Sequence, residues 1–555
     1  MEPIWKKHWP KAIDEASIRL PDELLPVTLA RHARSVPERT AMQFYGRAIS
    51  FAELDAAVGR FAGFLQERGL RAGDRLAISL ENCPQFAIAY YGALRAGAIV
   101  VCLNPMHKEA ELRHEFEDSG ARALVISDLA YAAVEPFRAQ TGLATVVLTA
   151  YRDFLPEAPS LPPPPSFLET RPGPPPAGTD ALLELLRASK ELKAQVPRLL
   201  SDTALLQYTS GTTGSPKAAE ITHANLVSNC ELQRLYIGAA DDDVALGVLP
   251  WFHITGMECQ MNMMAFMGAP LVVIGRFDLV TVLRAIGLYR CTLTTLIATI
   301  NVAIVNFPRT REFDLSSLRH CFSGGAPVPA AIAQRWEEIT GHKLIEGYGL
   351  SETTAPTHLN PPERPKYGTV GVPLPLTEAR IVDPNDGTTE LAPGKSGEIV
   401  VRGPQVMKGY WRNPDATARA FRDGWFLTGD IGRVDDDGYF TIEERKKDML
   451  KVSGFSVFPA EVEALMYRHP AVAEVGVVGV ADPYRGEDPV AFVVLKPDAK
   501  GNVTEQQLVD WCKEAMSVYK APREICFIDA LPKTASGKVL KRVLRDQAAA
   551  KRGAQ

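Results

Sequence analysis

The chain has 555 residues, more than one hydrophobic core usually supports, so at least two domains are expected. With 46% hydrophobic and 23% charged residues it has the composition of a globular protein, and a net charge of −5 argues against the basic face that a nucleic-acid partner needs. Eight scattered cysteines without a C-x-x-C pair argue against a zinc site and a disulfide framework, so a reducing, cytoplasmic setting is expected.

The first residues, Met1 to Lys7, lack the apolar region of a secretory signal. Ser50-Phe51-Ala52-Glu53 reads as a capping box. Leu54, Val58, Phe61 and Leu65 continue it at helical spacing, and Gly69 closes the helix. A strand-like run from Arg75 to Leu80 precedes a helical run from Gln85 to Arg95, and short apolar runs follow at Ala98–Leu103 and Ala123–Ser127. Strands alternating with helices predict a parallel α/β sheet. The proline-rich stretch 155–178 predicts a loop or extended connector. Two long apolar stretches, Gly247 to Gly275 and Cys291 to Phe307, read as buried core or pocket lining. The first is interrupted by proline and polar residues, and the second is shorter than the ~20 residues that a membrane span needs. No transmembrane segment is expected, and peripheral membrane contact stays open.

The pattern changes near residues 440–450, across the charged run Glu443 to Asp448. Beyond it, a helix at Glu461–Tyr467, strands at Glu474–Val480, Val490–Leu495 and Glu524–Ile528, and a helix capped by Thr504 predict a compact α+β unit.

Tyr208-Thr209-Ser210-Gly211-Thr212-Thr213-Gly214-Ser215-Pro216-Lys217 follows an apolar run. Glycines and hydroxyl residues in a tight loop expose N–H and O–H donors that suit phosphate oxygens. The Gly-Lys-Ser/Thr of a Walker A loop is missing.

This decapeptide resembles the phosphate-binding signature of the acyl-adenylate-forming superfamily, which comprises acyl-CoA synthetases, adenylation domains of peptide synthetases and beetle luciferases. Further matches follow in the family's order from about residue 50 to 545, and the chain most resembles fatty-acid–CoA ligases. Ser323-Gly324-Gly325-Ala326-Pro327 is similar to the adenine-binding turn, and Glu346-Gly347-Tyr348-Gly349-Leu350-Ser351-Glu352-Thr353 to a second signature. The resemblance implies Tyr348 against the adenine, Ser351 near phosphate and Glu352 on Mg²⁺. Tyr410-Trp411, Gly424-Trp425-Phe426 and Thr428-Gly429-Asp430 are the next match. They imply that Asp430 accepts from both ribose hydroxyls and that Arg445 adds donors to ribose or phosphate. Lys447 is expected at the hinge, Lys451-Val452-Ser453-Gly454-Phe455 in the loop that enters for thioester formation, and Lys538 of Pro532–Lys538 as the catalytic lysine of adenylation. Ala218 departs from the glycine that usually follows the lysine of the first signature.

The implied architecture is α/β: a large N-terminal domain with parallel sheets, residues 1–446, and a small mobile C-terminal α+β domain, residues 447–555. The implied activity consumes ATP with Mg²⁺, forms an acyl-adenylate and passes the acyl group to coenzyme A. Amino-acid-activating relatives place an aspartate near Trp251-Phe252-His253-Ile254-Thr255-Gly256, and this segment has none, so an uncharged acid is expected. His253 matches a histidine beside the carboxylate path. Met257, Met261, Met263, Met264, Phe266 and Met267 line an acyl tunnel or form simple core. A medium- or long-chain fatty acid is the first expectation and an aryl acid the alternative. Rival readings are loading of a carrier protein, oxidation of the adenylate, and a non-enzymatic nucleotide-binding protein. Homodimerisation stays open.

Overall fold

The computed structural model describes residues 3–209, 216–446, 448–452, 455–482, 484–533 and 539–553. Contacts divide the chain into two compact units. One comprises Met1–Tyr367, Gly371–Glu378 and Arg402–Gly424, the other Gly368–Val370, Ala379–Val401 and Trp425–Gln555.

Among the described residues, the first unit carries a nine-stranded and an eight-stranded sheet. The middle of the nine-stranded sheet is parallel, with Leu293–Ile297 between Ala245–Gly247 and His320–Gly324, and Leu344–Leu350 next to the latter. The middle of the other is parallel too: Arg75–Ser79 lies between Ile99–Cys102 and Ala123–Ser127, and Thr203–Thr209 pairs with Ile99–Cys102. Ile99–Cys102 and Ala123–Ser127 are buried at every residue, as strands covered on both faces must be. The helix Pro84–Arg95 is likewise buried along its whole length, and the helix His223–Ile237 touches strands of both sheets. The chain is thus α/β with large parallel sheets, as its alternating pattern predicts.

The predicted helix after Ser50 spans Phe51–Glu67. Only half of the capping box forms. Ser50 Oγ accepts the Glu53 N–H at 3.1 Å, whereas the Glu53 carboxylate pairs with Arg47 at 2.6 Å. The proline-rich connector is irregular except for one helical turn, Pro165–Leu168, whose buried Phe167 stacks on Tyr151 at 4.1 Å. Prolines that open the turn need no N–H there, which is why a helix forms where the composition predicts none. Among the described residues, no helix is long and apolar enough to cross a membrane.

The second unit contains an antiparallel sheet with Gly397–Arg402, Trp425–Val434 and Phe440–Arg445, and another sheet in which Gly486–Leu495 pairs antiparallel with Val472–Asp482 and parallel with Glu524–Phe527. The helices Pro459–Met466 and Glu505–Ala515 match the predicted α+β pattern, and Thr504 caps the latter by accepting from Gln507 N at 3.2 Å.

Candidate active site

The predicted phosphate loop is flanked by two antiparallel strands. Thr203–Thr209 and Lys217–Thr222 pair antiparallel, with Thr209 opposite Lys217 and a register shift between Thr203 and Leu205. The loop is therefore shorter than the motif suggests, because Tyr208, Thr209 and Lys217 belong to strands. Ser210, Gly211, Thr212, Thr213 and Gly214 lie outside the described residues. Ala218 is a buried strand residue opposite Tyr208, and its carbonyl accepts from Trp411 N at 2.9 Å. Extended backbone has no need of glycine, so the departure from the usual signature leaves the strand pairing intact.

Lys217 and Glu352, far apart in sequence, meet on one side chain. Lys217 Nζ lies 5.1 Å from the centre of the Tyr410 ring, within cation–π range, and the Tyr410 hydroxyl donates to Glu352 Oε1 at 2.9 Å. Tyr410 reaches this point because Gly409–Tyr410 pairs antiparallel with Lys217–Thr222. The sequence motifs contain Tyr410 but say nothing of this linking role.

Behind Glu352 the backbone is strained. Thr354 and Ala355 adopt φ of 52° and 75°, a left-handed conformation that costs a non-glycine residue energy. Asn229, buried in the helix His223–Ile237, holds the corner: its Nδ2 donates to the carbonyls of Thr354 at 2.7 Å and Pro356 at 3.1 Å. The Thr354 hydroxyl adds a bond to Gln405 O at 2.8 Å. Asn229 is a residue that sequence reasoning missed, since an asparagine in a helix carries no local signal for a contact over a hundred residues away.

The predicted adenine turn and Tyr348 are joined as well. Ser323 and Gly324 end the strand His320–Gly324, and Val328 N just beyond the turn donates to the buried Glu346 Oε2 at 2.9 Å. Glu346 belongs to Leu344–Leu350, the strand that carries Gly347, Tyr348 and Gly349. Gly325 needs its glycine for a φ of 79°. At Gly324 a Cβ would meet only Gly347 O, at an ordinary 3.7 Å. Protein packing therefore does not demand glycine at 324, and the space over it stays open. Ala326 is exposed. Tyr348 stands opposite His358, with ring centres 5.7 Å apart. Burial pushes His358 down to about 3, so it is neutral at physiological pH. Ser351 opens the short helix Ser351–Thr353, half-buried beside Glu352.

His253 is half-buried at the start of the helical run that begins at Ile254, where its N–H donates to Pro250 O at 3.1 Å. Gln207 Nε2 donates to Phe252 O at 3.0 Å and Asn82 Oδ1 accepts from Trp251 N at 2.8 Å, so the strand Thr203–Thr209 and the loop after Arg75–Ser79, both of the eight-stranded sheet, fix the approach to His253. Met257, Met261, Met263, Met264 and Met267 are all buried.

In the second unit, Asp430 and Arg445 stand opposite each other on adjacent strands, with Arg445 Nε 2.8 Å from Asp430 Oδ1. Asp430 is buried and its N–H donates to Thr428 Oγ1 at 3.1 Å. Lys446 anchors the neighbouring turn through Glu398 at 2.8 Å, and Glu398 also accepts from Gly429 N at 3.0 Å. Lys451 is an exposed strand residue whose N–H donates to Glu487 Oε2 at 2.8 Å. Lys447, Gly454 and Lys538 lie outside the described residues.

A family model described as AMP-binding enzyme matches residues 29–411, and another described as AMP-binding enzyme C-terminal domain matches residues 461–538. A long-chain-fatty-acid–CoA ligase of Bacillus subtilis (strain 168) is 37% identical, with 98% of each chain covered. A feruloyl-CoA synthase of Amycolatopsis sp. is 38% identical over 93% of this chain and 97% of its own. The crystal structure of ATP-bound MatB from Rhodopseudomonas palustris is similar with a TM-score of 0.83 and 31% identity, over 95% of this chain and 99% of that one. The chain belongs to the AMP-binding enzyme family and is an AMP-forming acyl-CoA synthetase, an acid–thiol ligase that activates a carboxylic acid as its adenylate.

Proposed function

We propose that the preferred acid is a medium- or long-chain fatty acid, bound beside His253, and that the residues described above divide the two half-reactions between them. The observation that carries the substrate reading is the state of Glu258, the only acidic residue between Trp251 and Met267. It is fully buried, both of its oxygens accept hydrogen bonds, and burial pushes its carboxyl up to about 8. A neutral, engaged acid cannot pair with a substrate ammonium, whereas the buried methionines around it suit an alkyl chain. The names of the long-chain relatives favour the same choice, and the feruloyl relative keeps an aryl acid as the second reading.

In the first half-reaction a carboxylate oxygen attacks the α-phosphorus of ATP, and pyrophosphate leaves with the electrons of the broken P–O bond. Thr209, Lys217 and the loop donors between them would hold the departing phosphates, and Lys538 would stabilise charge on the α-phosphate. Tyr348 and the open turn Gly324–Ala326 would take the adenine. Asp430, aligned by Arg445, would accept from the ribose hydroxyls. In the second half-reaction the coenzyme A thiol loses its proton, its sulfur bonds to the acyl carbon and AMP leaves. Residues 447–555 would act as the mobile domain, bringing Lys451 and Gly454 to this step. The protein would work in the cytoplasm, where its eight buried, unpaired cysteines stay reduced.

Glu352 would hold Mg²⁺. Among the described residues no group of three His, Cys, Asp or Glu side chains could chelate a metal ion. A single carboxylate fits magnesium, which shares such a ligand with substrate phosphates and water and would neutralise phosphate charge there. Glu352→Gln is expected to lower ATP–pyrophosphate exchange about tenfold or more and to raise the half-saturating magnesium concentration. An unchanged rate and an unchanged magnesium titration would remove Glu352 from this role.

Across a panel of acids at fixed ATP and coenzyme A, decanoate should exceed acetate in kcat/KM by ~10². Four buried CH₂ groups at ~0.8 kcal/mol each suffice for that ratio. Preference for acetate or an amino acid would overturn the fatty-acid reading, and preference for ferulate would select the aryl one.

A further inference from the structure

The helical run after His253 is not a simple α-helix. Ile254–Gly256 passes into a π-helix, Met257–Asn262, before Met263–Met267 resumes the α form. π-Turns are rare, cluster at functional sites, and need compensating contacts to persist. Here the contacts come from three wholly buried polar side chains in the turn, Glu258, Gln260 and Asn262.

They reach in different directions. Glu258 Oε1 accepts from the Cys230 thiol at 3.1 Å and Oε2 from Asn262 Nδ2 at 2.9 Å. Asn262 Nδ2 also donates to the Tyr90 hydroxyl at 3.1 Å, and its Oδ1 accepts from Tyr91 at 3.1 Å. Tyr91 further donates to Met261 O at 3.2 Å. Gln260 ties the turn to two strand regions: its Oε1 accepts from Leu249 N at 3.2 Å and its Nε2 donates to Thr295 O at 2.8 Å. The turn is thus pinned to the helices Pro84–Arg95 and His223–Ile237 and to the strand Leu293–Ile297. It connects to His253 directly, because Met257 N donates to His253 O at 3.0 Å.

The titratable groups facing Glu258 are Cys230 and Tyr90 and Tyr91 from the two helices and Cys259 from its own turn. Burial raises every one of them, so they are neutral near pH 7. Glu231, on the Cys230 helix, is paired with Arg234 at 2.7 Å. Among the described residues an ionised carboxylate in this cage has no countercharge; the Cys230 and Asn262 donors favour it, but its desolvation penalty outweighs them and disfavours the closed cage.

We propose that Glu258 is a positioning residue for the acid site, holding the Met257–Asn262 turn and through it His253 and the methionine wall. The inference rests on the reading of His253 as the residue beside the acid. Loss of the Glu258 proton then loosens the acid side of the site and leaves the nucleotide side alone.

The test is ATP–pyrophosphate exchange with decanoate from pH 6 to 9.5, which omits the coenzyme A thiol and its own titration. In the wild type, KM for decanoate should rise about tenfold between pH 7 and pH 9, following the ionised fraction of Glu258, with KM for ATP flat. Glu258→Gln, which stays neutral and can donate toward Cys230 while accepting from Asn262, should abolish that rise. Glu258→Leu should raise KM for decanoate at every pH. A Gln variant that keeps the wild-type alkaline rise, or a KM for ATP that moves in parallel, overturns the inference. No exchange by the wild type with any acid would instead overturn the functional reading beneath it. Should the Gln variant fail to fold, infrared titration of the wild type decides. The protonated-carboxyl band must disappear over the pH range in which decanoate affinity is lost, and a band that persists through pH 9.5 overturns the inference.

Discussion

Lys538→Ala is expected to slow acyl-adenylate formation by ~10²–10³ while leaving conversion of supplied acyl-AMP and coenzyme A to thioester near the wild-type rate. The asymmetry follows from where charge develops. In adenylation, negative charge accumulates between the attacking carboxylate and the α-phosphate, and a lysine there stabilises the transition state more than the ground state. In thioester formation the adenylate already exists, and the chemistry moves to the acyl carbon. The described residues on either side of this lysine form a defined base: Lys533 and Val539 pair as an antiparallel bridge, and Lys533 Nζ lies 2.7 Å from Glu474. Replacing Lys538 therefore leaves the flanking ion pair in place, and circular dichroism should match the wild type. Equal loss in both half-reactions by a folded variant would refute the division of labour.

Gly349→Ala should impair both half-reactions together. A Cβ at this position would lie 1.8 Å from Ala355 O and 2.8 Å from Pro356 Cα, all of it backbone. That backbone cannot readily yield, since Ala355 is already left-handed and Asn229 grips the carbonyls on either side of it. Relief must come from shifting the strand Leu344–Leu350, which carries Tyr348, or the corner behind Glu352. Overpacking of this kind costs ~1–3 kcal/mol or more, and if the strand moves, affinity for ATP and for the adenylate should both fall about tenfold or more. Calorimetry should show a lower melting temperature, and isothermal titration weaker binding of ATP. A variant with wild-type melting and wild-type ATP affinity would show that the corner is softer than its geometry indicates. Read beside Lys538→Ala, the result separates a residue that serves one step from one that shapes the nucleotide site for both.

Much of the architecture was legible because its signals are local. The Phe51–Glu67 helix follows from a serine cap and a 3.6-residue apolar repeat, and the Thr504 cap works the same way. The alternation of strand and helix announces parallel sheets. The signature loops are recognisable because glycines, hydroxyl residues and a lysine stand within a few positions of one another. Where local signals compete, the reading slips. Glu53 has the residue type and spacing of a capping box, yet Arg47 takes its carboxylate. Met257 to Met267 reads as helix-spaced apolar residues, and nothing in that spacing announces a π-turn.

By itself the sequence determined the family signatures, their order, the separate positions of Lys217, Glu352, Asp430 and Arg445, and the absence of an acidic residue at positions 251–256. Tertiary structure alone decided which of these side chains meet. Tyr410 joins Lys217 to Glu352, Asn229 holds the strained corner at Thr354 and Ala355, and Glu346 ties the Gly324–Ala326 turn to the Tyr348 strand. It also decided that burial raises the Glu258 carboxyl, since a carboxyl's titration depends on the thiol and amide groups and the burial around it and not on its neighbours in sequence. The physical reason is common to all four cases. Caps, turns and periodicity are settled by groups a few residues apart, whereas strain, burial and protonation are settled by groups that only the completed packing of sheets and helices brings within a few ångströms.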